Sequence, residues 1–567
     1  MITLHLGPYQ ESVDTALEET EQKEILARIW REDYTVWKPD PAEITNRLGW
    51  LHVHEELRER IPQLESVVYA VQHAGYTHAL LLGMGGSSLA PDLFSKTFSK
   101  QDQDNHPFLR LEVLDSTDPG AVLAFSERLD PAKTLFIVST KSGTTEETLS
   151  FFKYFYNWTA GALGESGAGD HFIAITDPGT KLVDLARGYQ FRATFLNDPN
   201  IGGRYSALSY FGLVPAALIG VDLRLLLERA ELMASSCKPV IDVKNCPAAS
   251  LGVTLGELAK AGRDKVTLFL SPQIASFGDW VEQLIAESTG KDRRGILPVV
   301  GESIGTPGSY GSDRVFVLVQ LRGDSSFTDE ISALEVAGHP VIRLVLDDLY
   351  DLGGQFFLWE LAIAFAGYRL GIQPFDQPNV ESAKALARQR VTAYKQTGQL
   401  PIPDPSLEAG GIAVFGKVSG NTPDEALSGF LANAKPGDYI ATQAFLQPDP
   451  ATDQALHRLR AHLKQSTRLA TTLGYGPRFL HSTGQLHKGD AGHGLFIQFT
   501  ADDPRDIPIP DQAGSPESSI SFGVLKMAQA LGDYQALLDA GRKVIRFHFK
   551  GDCAQKINQL ADSIVAS

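Results

Sequence analysis

Short apolar runs alternate with helix-forming segments along most of the chain, and this alternation limits the fold more than any other feature. HALLLG, FLRLEVLD, TLFIVS, FIAIT and FRATFL are apolar runs separated by segments long enough for helices. Such runs are typical of strands that are buried on both faces of a parallel sheet. A similar series follows, made of VTLFLS, RVFVLVQL and PVIRLVLD. The pattern predicts an α/β protein with two doubly wound parallel sheets.

The pattern divides the 567 residues into four segments. Residues 1–44 read as a charged, amphipathic helical segment, and two α/β domains are predicted over 45–215 and 216–398. PIPDPSLEAGG, rich in Pro and Gly, reads as a linker. Beyond it, GGIAVFG, DYIATQAFLQ, LFIQFT and KVIRFHF predict strands, and LHRLRAHLKQSTRLATTL and VLKMAQALGDYQALLDA predict helices. These elements indicate a C-terminal α/β domain over 399–567.

The composition excludes several classes of protein. The formal net charge is −17, which provides no basic surface for nucleic acid. The three cysteines are too few for a disulfide framework or a recognisable zinc motif, which favours a reducing, cytoplasmic setting. The longest apolar stretch, GLVPAALIGVDLRLLL, is interrupted by charges, and MITLHLGPYQESVD does not resemble a signal peptide. We therefore expect no membrane partner.

Two turns between a strand and a helix have the composition of a phosphate site. In the first, Gly83 to Ser88, glycines allow backbone amides to approach an anion at a helix N-terminus, although a plain tight turn would look the same. In the second, STKSGTTEET (139–148), hydroxyls and amides suit the oxygens of a phosphate monoester. A Thr-rich helix cap is the alternative there. The chain lacks G-x-x-x-x-G-K-[ST], which disfavours a nucleoside triphosphate.

Together GMGGSSL and STKSGTTEET resemble the sugar-isomerase (SIS) domain, in which a Ser- and Thr-rich turn holds the phosphate of a sugar phosphate. Three further segments, NDPNIGGRYSALS, WVEQLIAESTGK and GIQPFDQPNVESAK, resemble segments of the phosphoglucose (glucose-6-phosphate) isomerase family. They occur in the family's order and extend the resemblance over roughly residues 45–390. The resemblance implies two SIS-type domains and a reversible aldose–ketose isomerisation of glucose 6-phosphate and fructose 6-phosphate through a cis-enediol.

The resemblance also implies roles for individual residues. Glu287 matches the base that moves a proton between C2 and C1, and Arg204 matches the cation that faces the enediolate oxygens. Lys384 matches the lysine that binds substrate and helps to open the sugar ring. The implied substrate-binding residues are Gly86, Ser87, Thr140, Lys141, Ser142, Thr145, Gln283 and Gln377. The chemistry requires neither a metal nor a cofactor.

The sequence departs from the family in two places. Family members carry a ring-opening histidine after the glutamate segment, whereas GSYGSDRVFVLVQL contains none. The C-terminal domain is the second departure, and its stretch GYGPRFLHSTGQLHKGD looks like the isomerase half of transaldolase–isomerase fusion proteins. We hypothesise that His481 or His487 replaces the missing histidine. The competing interpretation of this stretch, which we favour on sequence alone, is a solvated loop.

Two other functions remain open at this point. One is a dual phosphoglucose and phosphomannose isomerase. The other is a non-catalytic sugar-phosphate sensor, which would not need Glu287, Arg204 and Lys384 together. Family members often dimerise, so a homodimer is expected. The predicted ligand is a small sugar phosphate.

Overall fold

Three large sheets and a two-stranded ribbon organise the part of the chain that the structure describes. That structure is a computed structural model, and it describes residues 2–98 and 108–566. The two N-terminal sheets contain mostly parallel strands and the third is mixed. The predicted α/β class is confirmed.

The first sheet has five parallel strands in the order β3-β2-β4-β5-β6. The central strands are buried throughout, as their unbroken apolar sequence predicts. The strands are β2 (His78–Gly83), β3 (Arg110–Leu114), β4 (Thr134–Ser139), β5 (Phe172–Thr176) and β6 (Ala193–Leu196). The helices around this sheet are α3 (Val53–His73), α4 (Leu89–Phe98), α5 (Pro119–Arg128), α6 (Glu146–Leu163), α7 (Glu165–Ala168), α8 (Lys181–Gly188) and α9 (Tyr210–Leu218).

The second sheet has the order β1-β10-β9-β7-β8, in which β1 is the strand Ile2–His5. Its parallel strands are β7 (Lys265–Leu270), β8 (Leu297–Val300), β9 (Arg314–Leu321) and β10 (Val341–Leu346). The helices are α10 (Leu223–Ser235), α11 (Pro247–Lys260), α12 (Phe277–Thr289), α13 (Thr328–Val336), α14 (Leu352–Leu370) and α15 (Glu381–Thr397). Nearly the whole surface of α14 is buried, because it packs between α10, α11 and α12.

The N-terminal segment corrects one expectation. It contains helices α1 (Gln10–Gln22) and α2 (Ile25–Trp30), but it begins with a strand, β1 (Ile2–His5), that pairs antiparallel with β10. Residues 1–44 are therefore not purely helical. The strand is only four residues long and alternates between half-buried and exposed positions, so its sequence gives little sign of it.

The third sheet has the order β11-β12-β18-β15-β13-β14, with β11 and β12 antiparallel to their neighbours. Its strands are β11 (Leu407–Ala409), β12 (Ile412–Phe415), β13 (Tyr439–Phe445), β14 (Ala470–Tyr475), β15 (Gly494–Ala501) and β18 (Lys543–Phe549), and β16 (Pro508–Ile509) with β17 (Ile520–Ser521) forms the ribbon. The helices are α16 (Pro423–Leu431), α17 (Pro450–Thr467), α18 (Gly484–Gly489), α19 (Phe522–Asp539) and α20 (Cys553–Ala566).

A second correction concerns LHRLRAHLKQSTRLATTL, which was predicted as one helix. The helix α17 ends at Thr467, Arg468 adopts a left-handed conformation, and ATTL begins strand β14. β-branched residues at the end of an amphipathic segment favour this change from helix to strand.

Among the helices of the described residues, none is long and apolar enough to cross a bilayer.

Candidate active site

A cavity of about 680 Å³ lies where the two N-terminal sheets and the C-terminal unit meet. All the site residues predicted from the sequence line it, except Thr140. Those that line it are Gly86, Ser87, Lys141, Ser142, Thr145, Arg204, Gln283, Glu287, Gln377 and Lys384. The structure therefore brings together residues that are far apart in the sequence.

The glycine turn after β2 lets two loops touch through their backbones. A Cβ atom on Gly86 would lie 2.1 Å from the carbonyl oxygen of Gly203, so only glycine fits without moving one loop. Gly85 has a φ of +54°, and a Cβ there would lie 2.9 Å from the Cβ and the carbonyl oxygen of His481. The turn thus contacts both the Arg204 loop and the C-terminal unit.

The hydroxyl-rich turn after β4 ends at the N-terminus of α6. Thr145 is the N-cap residue, and its Oγ1 lies 2.7 Å from Oγ1 of Thr140 rather than bonding a first-turn amide. Thr140 is therefore a support for Thr145 behind the cavity wall. Ser142 Oγ accepts a hydrogen bond from the amide of Thr144 at 3.2 Å. The uncapped helix start, with its positive dipole end, suits a phosphate.

The Lys141 side chain is held at one edge of this turn. Its Nζ forms an ion pair with Asp177 and donates a hydrogen bond to the Pro199 carbonyl at 3.0 Å. Burial raises the pKa of Asp177, while the hydrogen bond and charge of Lys141 oppose that rise. With its ammonium engaged in this way, Lys141 offers the cavity a partly neutralised charge.

Arg204 is almost fully buried, and its guanidinium donates four hydrogen bonds. Nε donates to Ser288 Oγ at 2.8 Å, and Nη1 donates to Gln377 Oε1 at 2.9 Å. Nη2 donates to the carbonyl oxygens of Pro374 and Asp376 at 2.6 and 3.0 Å. These bonds fix the plane of the guanidinium against the cavity.

Glu287 lies on α12 beside this guanidinium. Its Oε2 is 3.6 Å from Arg204 Nη1 and accepts a hydrogen bond of 3.1 Å from Gln283 Nε2. Gln283 precedes Glu287 by one helical turn, so both side chains project from the same face of α12. The result is a buried carboxylate that is oriented by one amide and one cation.

The loop between α14 and α15 closes another side of the cavity. Lys291 Nζ donates to the carbonyl oxygen and Oδ1 of Asp376 at 2.5 and 2.7 Å, and so holds the loop that also binds Arg204. Burial, together with the neighbouring charge of Arg204, lowers the pKa of Lys291 to about 8. Lys384 lies nearer to solvent, with 37% of its side chain exposed and its Nζ 3.5 Å from Glu381.

The C-terminal unit places His481 in the cavity wall. His481 Nε2 lies 3.0 Å from Glu147 Oε1, and the His481 carbonyl accepts a hydrogen bond of 2.8 Å from Gln283. Gln529 Nε2 donates to the same Glu147 oxygen at 2.7 Å. Burial would raise the pKa of Glu147, but the charge and hydrogen bond of His481 outweigh it, so the pKa lies below its usual value.

The interpretation of GYGPRFLHSTGQLHKGD as a solvated loop is wrong. Residues 479, 480 and 482–489 are buried, and most of them pack in a short 3₁₀ turn and in α18. His487 contacts Tyr439, Phe479 and Phe496, and burial holds the pKa of His487 well below its usual value. Of the two histidines hypothesised, only His481 lines the cavity.

A group that could hold a metal ion occurs elsewhere in the described residues. His54, Glu55 and Glu231 offer ligand atoms within 4.8 Å of one another. Lys238 Nζ already lies 3.7 Å from Glu231 and 3.9 Å from Glu55, where it neutralises the carboxylates. These residues do not line the cavity.

The model of one protein family, phosphoglucose isomerase, matches residues 18–307, a segment that includes the glycine turn, the hydroxyl turn, Arg204 and Glu287. The chain belongs to the phosphoglucose isomerase family. The match ends before Gln377 and Lys384, so the assignment of those two residues rests on the FDQPNVESAK segment and on the cavity.

Curated relatives agree with this family. Glucose-6-phosphate isomerase of Cyanothece sp. (strain PCC 7425) is 28% identical over 394 residues, which are 60% of this chain and 72% of that protein. The corresponding enzyme of Carboxydothermus hydrogenoformans is 28% identical over 392 residues, or 59% of this chain and 83% of the relative.

Solved structures show the same fold. A hypothetical protein from Thermus thermophilus superposes with a TM-score of 0.59 at 25% identity, covering 69% of this chain and all of the other. A glucose-6-phosphate isomerase from Chlamydia trachomatis superposes with a TM-score of 0.56 at 19% identity, covering 69% of this chain and 87% of the other. The chain therefore shares the fold of these two proteins over about 69% of its length.

Sequence reasoning missed Glu147 and Gln529. Glu147 stands two residues after Thr145 in the predicted phosphate turn, and its acidity at a helix start was a usable signal. Gln529 gave none, because it lies within an ordinary amphipathic helix and reaches Glu147 across 382 positions in the sequence.

Proposed function

We propose that this protein is a glucose-6-phosphate isomerase that interconverts glucose 6-phosphate and fructose 6-phosphate. The observation that carries the proposal is the buried pair of Glu287 and Arg204, 3.6 Å apart, in a cavity lined by a phosphate-type turn. A carboxylate fixed beside a guanidinium can take a proton from a sugar carbon while the cation stabilises the oxygen that becomes negative.

The phosphate binds at the two turns after β2 and β4. Gly86 and Ser87 contribute close backbone and a hydroxyl, and Ser142, Thr145 and the start of α6 contribute the other donors. Lys141 acts mainly through its backbone, since its ammonium is shared with Asp177. This arrangement binds an anion without a metal ion or a cofactor.

The isomerisation moves two protons, one from C2 to C1 and one from O2 to O1. Glu287 removes the proton from C2 of open-chain glucose 6-phosphate as the C1 carbonyl becomes an enediolate oxygen facing Arg204. The proton of the O2 hydroxyl then passes to O1, and Glu287 returns the first proton to C1 as the C2 carbonyl forms. Gln283 and Gln377 hold these two groups in place. General base catalysis of this type contributes about 10²–10⁴-fold.

Ring opening precedes this step and is assigned to Lys384 and His481. The C1–O5 bond breaks, His481 donates a proton to O5, the proton of the C1 hydroxyl leaves to water at the solvent-facing end of the cavity, and the Lys384 ammonium donates a hydrogen bond to O1. The net transfer is one proton from O1 to O5. The support for His481 is its position in the cavity wall beside Glu147.

The boundaries 1–44, 45–215, 216–398 and 399–567 remain our proposed domains, and a homodimer remains our proposed assembly. We infer a cytoplasmic location, supported by three unpaired cysteines. The presence of Glu287, Arg204 and Lys384 together disfavours the sensor. Acceptance of mannose 6-phosphate has no specific support from the cavity.

The test is a coupled assay that follows glucose 6-phosphate formation from fructose 6-phosphate by wild type and by Glu287→Gln. We expect turnover by wild type and a loss of at least about 10²-fold in the variant. Glu282→Gln, on the same helix but beside Arg478, is the matched control and retains turnover. Equal turnover by Glu287→Gln and wild type would contradict the proposed base. Mannose 6-phosphate in the same assay tests the broader specificity.

A further inference from the structure

The C-terminal unit forms part of the wall of the catalytic cavity. His481, Lys488 and Gln529 line the cavity together with residues of both N-terminal units. All three side chains make internal contacts that fix them, and Lys488 Nζ lies 2.6 Å from the fully buried carboxylate of Asp533. This part of the wall is therefore a preorganised surface.

His481 is fixed from both of the other units at once. Its ring contacts Glu147 of the first unit, and its carbonyl accepts from Gln283 of the second. Gln283 also donates to Glu287, so a single amide links the proposed base to the histidine backbone. The geometry of His481 relative to Glu287 is set within one chain.

The segment that carries His481 is also clamped at its far end. Gln485 Nε2 donates to the Gly290 carbonyl and to Asn379 Oδ1, both at 2.8 Å, and Gln485 Oε1 accepts from the Asn379 amide at 2.8 Å. Close backbone packing accompanies these bonds, because a Cβ on Gly290 would lie 2.3 Å from Leu486 Cα.

Ion pairs hold the N-terminal end of the segment that carries His481. Arg478, three residues before His481, lies 3.3 Å from Asp115, and 3.4 Å from both Asp92 and Asp279. Asp92 and Asp115 belong to the first unit, and Asp279 belongs to α12. These partly exposed ion pairs connect the C-terminal unit to both N-terminal units.

We infer that residues 399–567 complete the active site from within the same chain, so that each copy contains every reacting group and needs none from a second copy. The inference rests on the proposed isomerase function and deepens it. The C-terminal unit lies beyond the segment that the family model matches, and its His481 is the proton donor for ring opening. The homodimer that we propose would then contain two independent active sites.

The test combines two inactive variants. Glu287→Gln and His481→Asn are each expected to lose at least about 10²-fold in turnover of fructose 6-phosphate. They are coexpressed with different affinity tags, and any mixed oligomer is isolated by both tags in sequence. If His481 acted across a two-fold interface, one of the two sites in a mixed dimer would hold both wild-type residues, and about half of the wild-type turnover would return.

We expect no return of turnover in the mixed dimer. A wild-type chain that is active while its mass by light scattering is near 61.6 kDa supports the inference equally. Recovered turnover in the mixed dimer overturns it, as does wild-type turnover by His481→Asn. If the proposed isomerase function were wrong, wild type itself would be inactive with fructose 6-phosphate, and this result differs from every outcome above.

Discussion

Replacing Arg204 by lysine keeps the positive charge and removes the planar fork of donors. The guanidinium uses its three nitrogens for four hydrogen bonds of 2.6 to 3.0 Å. An ammonium has three hydrogens on one nitrogen at the end of a shorter chain, so at least one of the four acceptors loses its donor. A buried acceptor without a partner costs about 1–3 kcal/mol, which is the expected loss in free energy of unfolding.

The expected effect on turnover is larger. The removal of one well-placed donor from a developing oxyanion costs about 10²–10³ in kcat, or about 2.7–4 kcal/mol. We therefore expect Arg204→Lys to lower kcat for fructose 6-phosphate by about 10²–10³-fold. The coupled assay gives kcat and KM, and thermal unfolding gives the change in stability.

Arg314→Lys is the matched control, because Arg314 is equally buried and donates to Thr267, Glu302 and the Leu469 carbonyl outside the cavity. It should lose stability by a similar amount and keep its kcat. If Arg204→Lys retains kcat within about threefold while Arg314→Lys behaves as expected, charge alone suffices and the argument from fork geometry is refuted.

Three further changes test other parts of the site. Gly86→Ala places a Cβ 2.1 Å from the Gly203 carbonyl oxygen, so Tm and turnover should both fall. The control Gly203→Ala introduces a Cβ with no atom within 4 Å and should leave Tm unchanged. Equal Tm values for the two variants would contradict the close approach of the loops. Gln283→Leu removes the donor to Glu287, worth about 1.5–3 kcal/mol, so kcat should fall by about 10–100-fold, and an unchanged kcat would show that the amide is dispensable. Burial, with the Asp279 carboxylate close by, raises the pKa of Glu282 to about 8. Folding therefore favours the protonated form of Glu282, and the free energy of unfolding falls as pH rises from about 4.5 to 8. Glu282→Gln should raise Tm relative to wild type at pH 8 but not at pH 5. An equal difference in Tm between the variant and wild type at both pH values would contradict this.

The buried parallel strands were predictable because their sequences satisfy one strong requirement. HALLLG and TLFIVS must be apolar on both faces, and the structure places them at the centre of the first sheet. The sequences of the edge strands predict their structure less strongly. Strand β1 has four residues and β8 reads LPVV, and both depend on pairing with distant strands rather than on local pattern. Local sequence cannot specify such pairing.

The residues of the candidate site also fall into two groups, those that local sequence marks and those that depend on distant contacts. Ser142, Thr145 and Glu287 lie in motifs whose local composition or family resemblance marks them. The role of His481 depends on a contact with Glu147 across 334 positions, and its own neighbourhood, rich in Ser, Thr, Gly and Lys, looks like an exposed loop. What buries it is the packing of three units, which the polar composition of the segment does not reveal.

Burial varies along the cavity in a way that fits the order of the chemistry. The side chain of Lys384 is 37% exposed, that of His481 is 14% exposed, and that of Glu287 is 8% exposed. Ring opening exchanges protons between oxygens and tolerates water. Proton transfer at carbon forms an enediolate, and its charge is better stabilised by Arg204 where water is excluded and the local dielectric is low. In the mechanism that we propose, a cavity that runs from a solvent-facing lysine to a buried carboxylate thus provides each step with the environment that favours it.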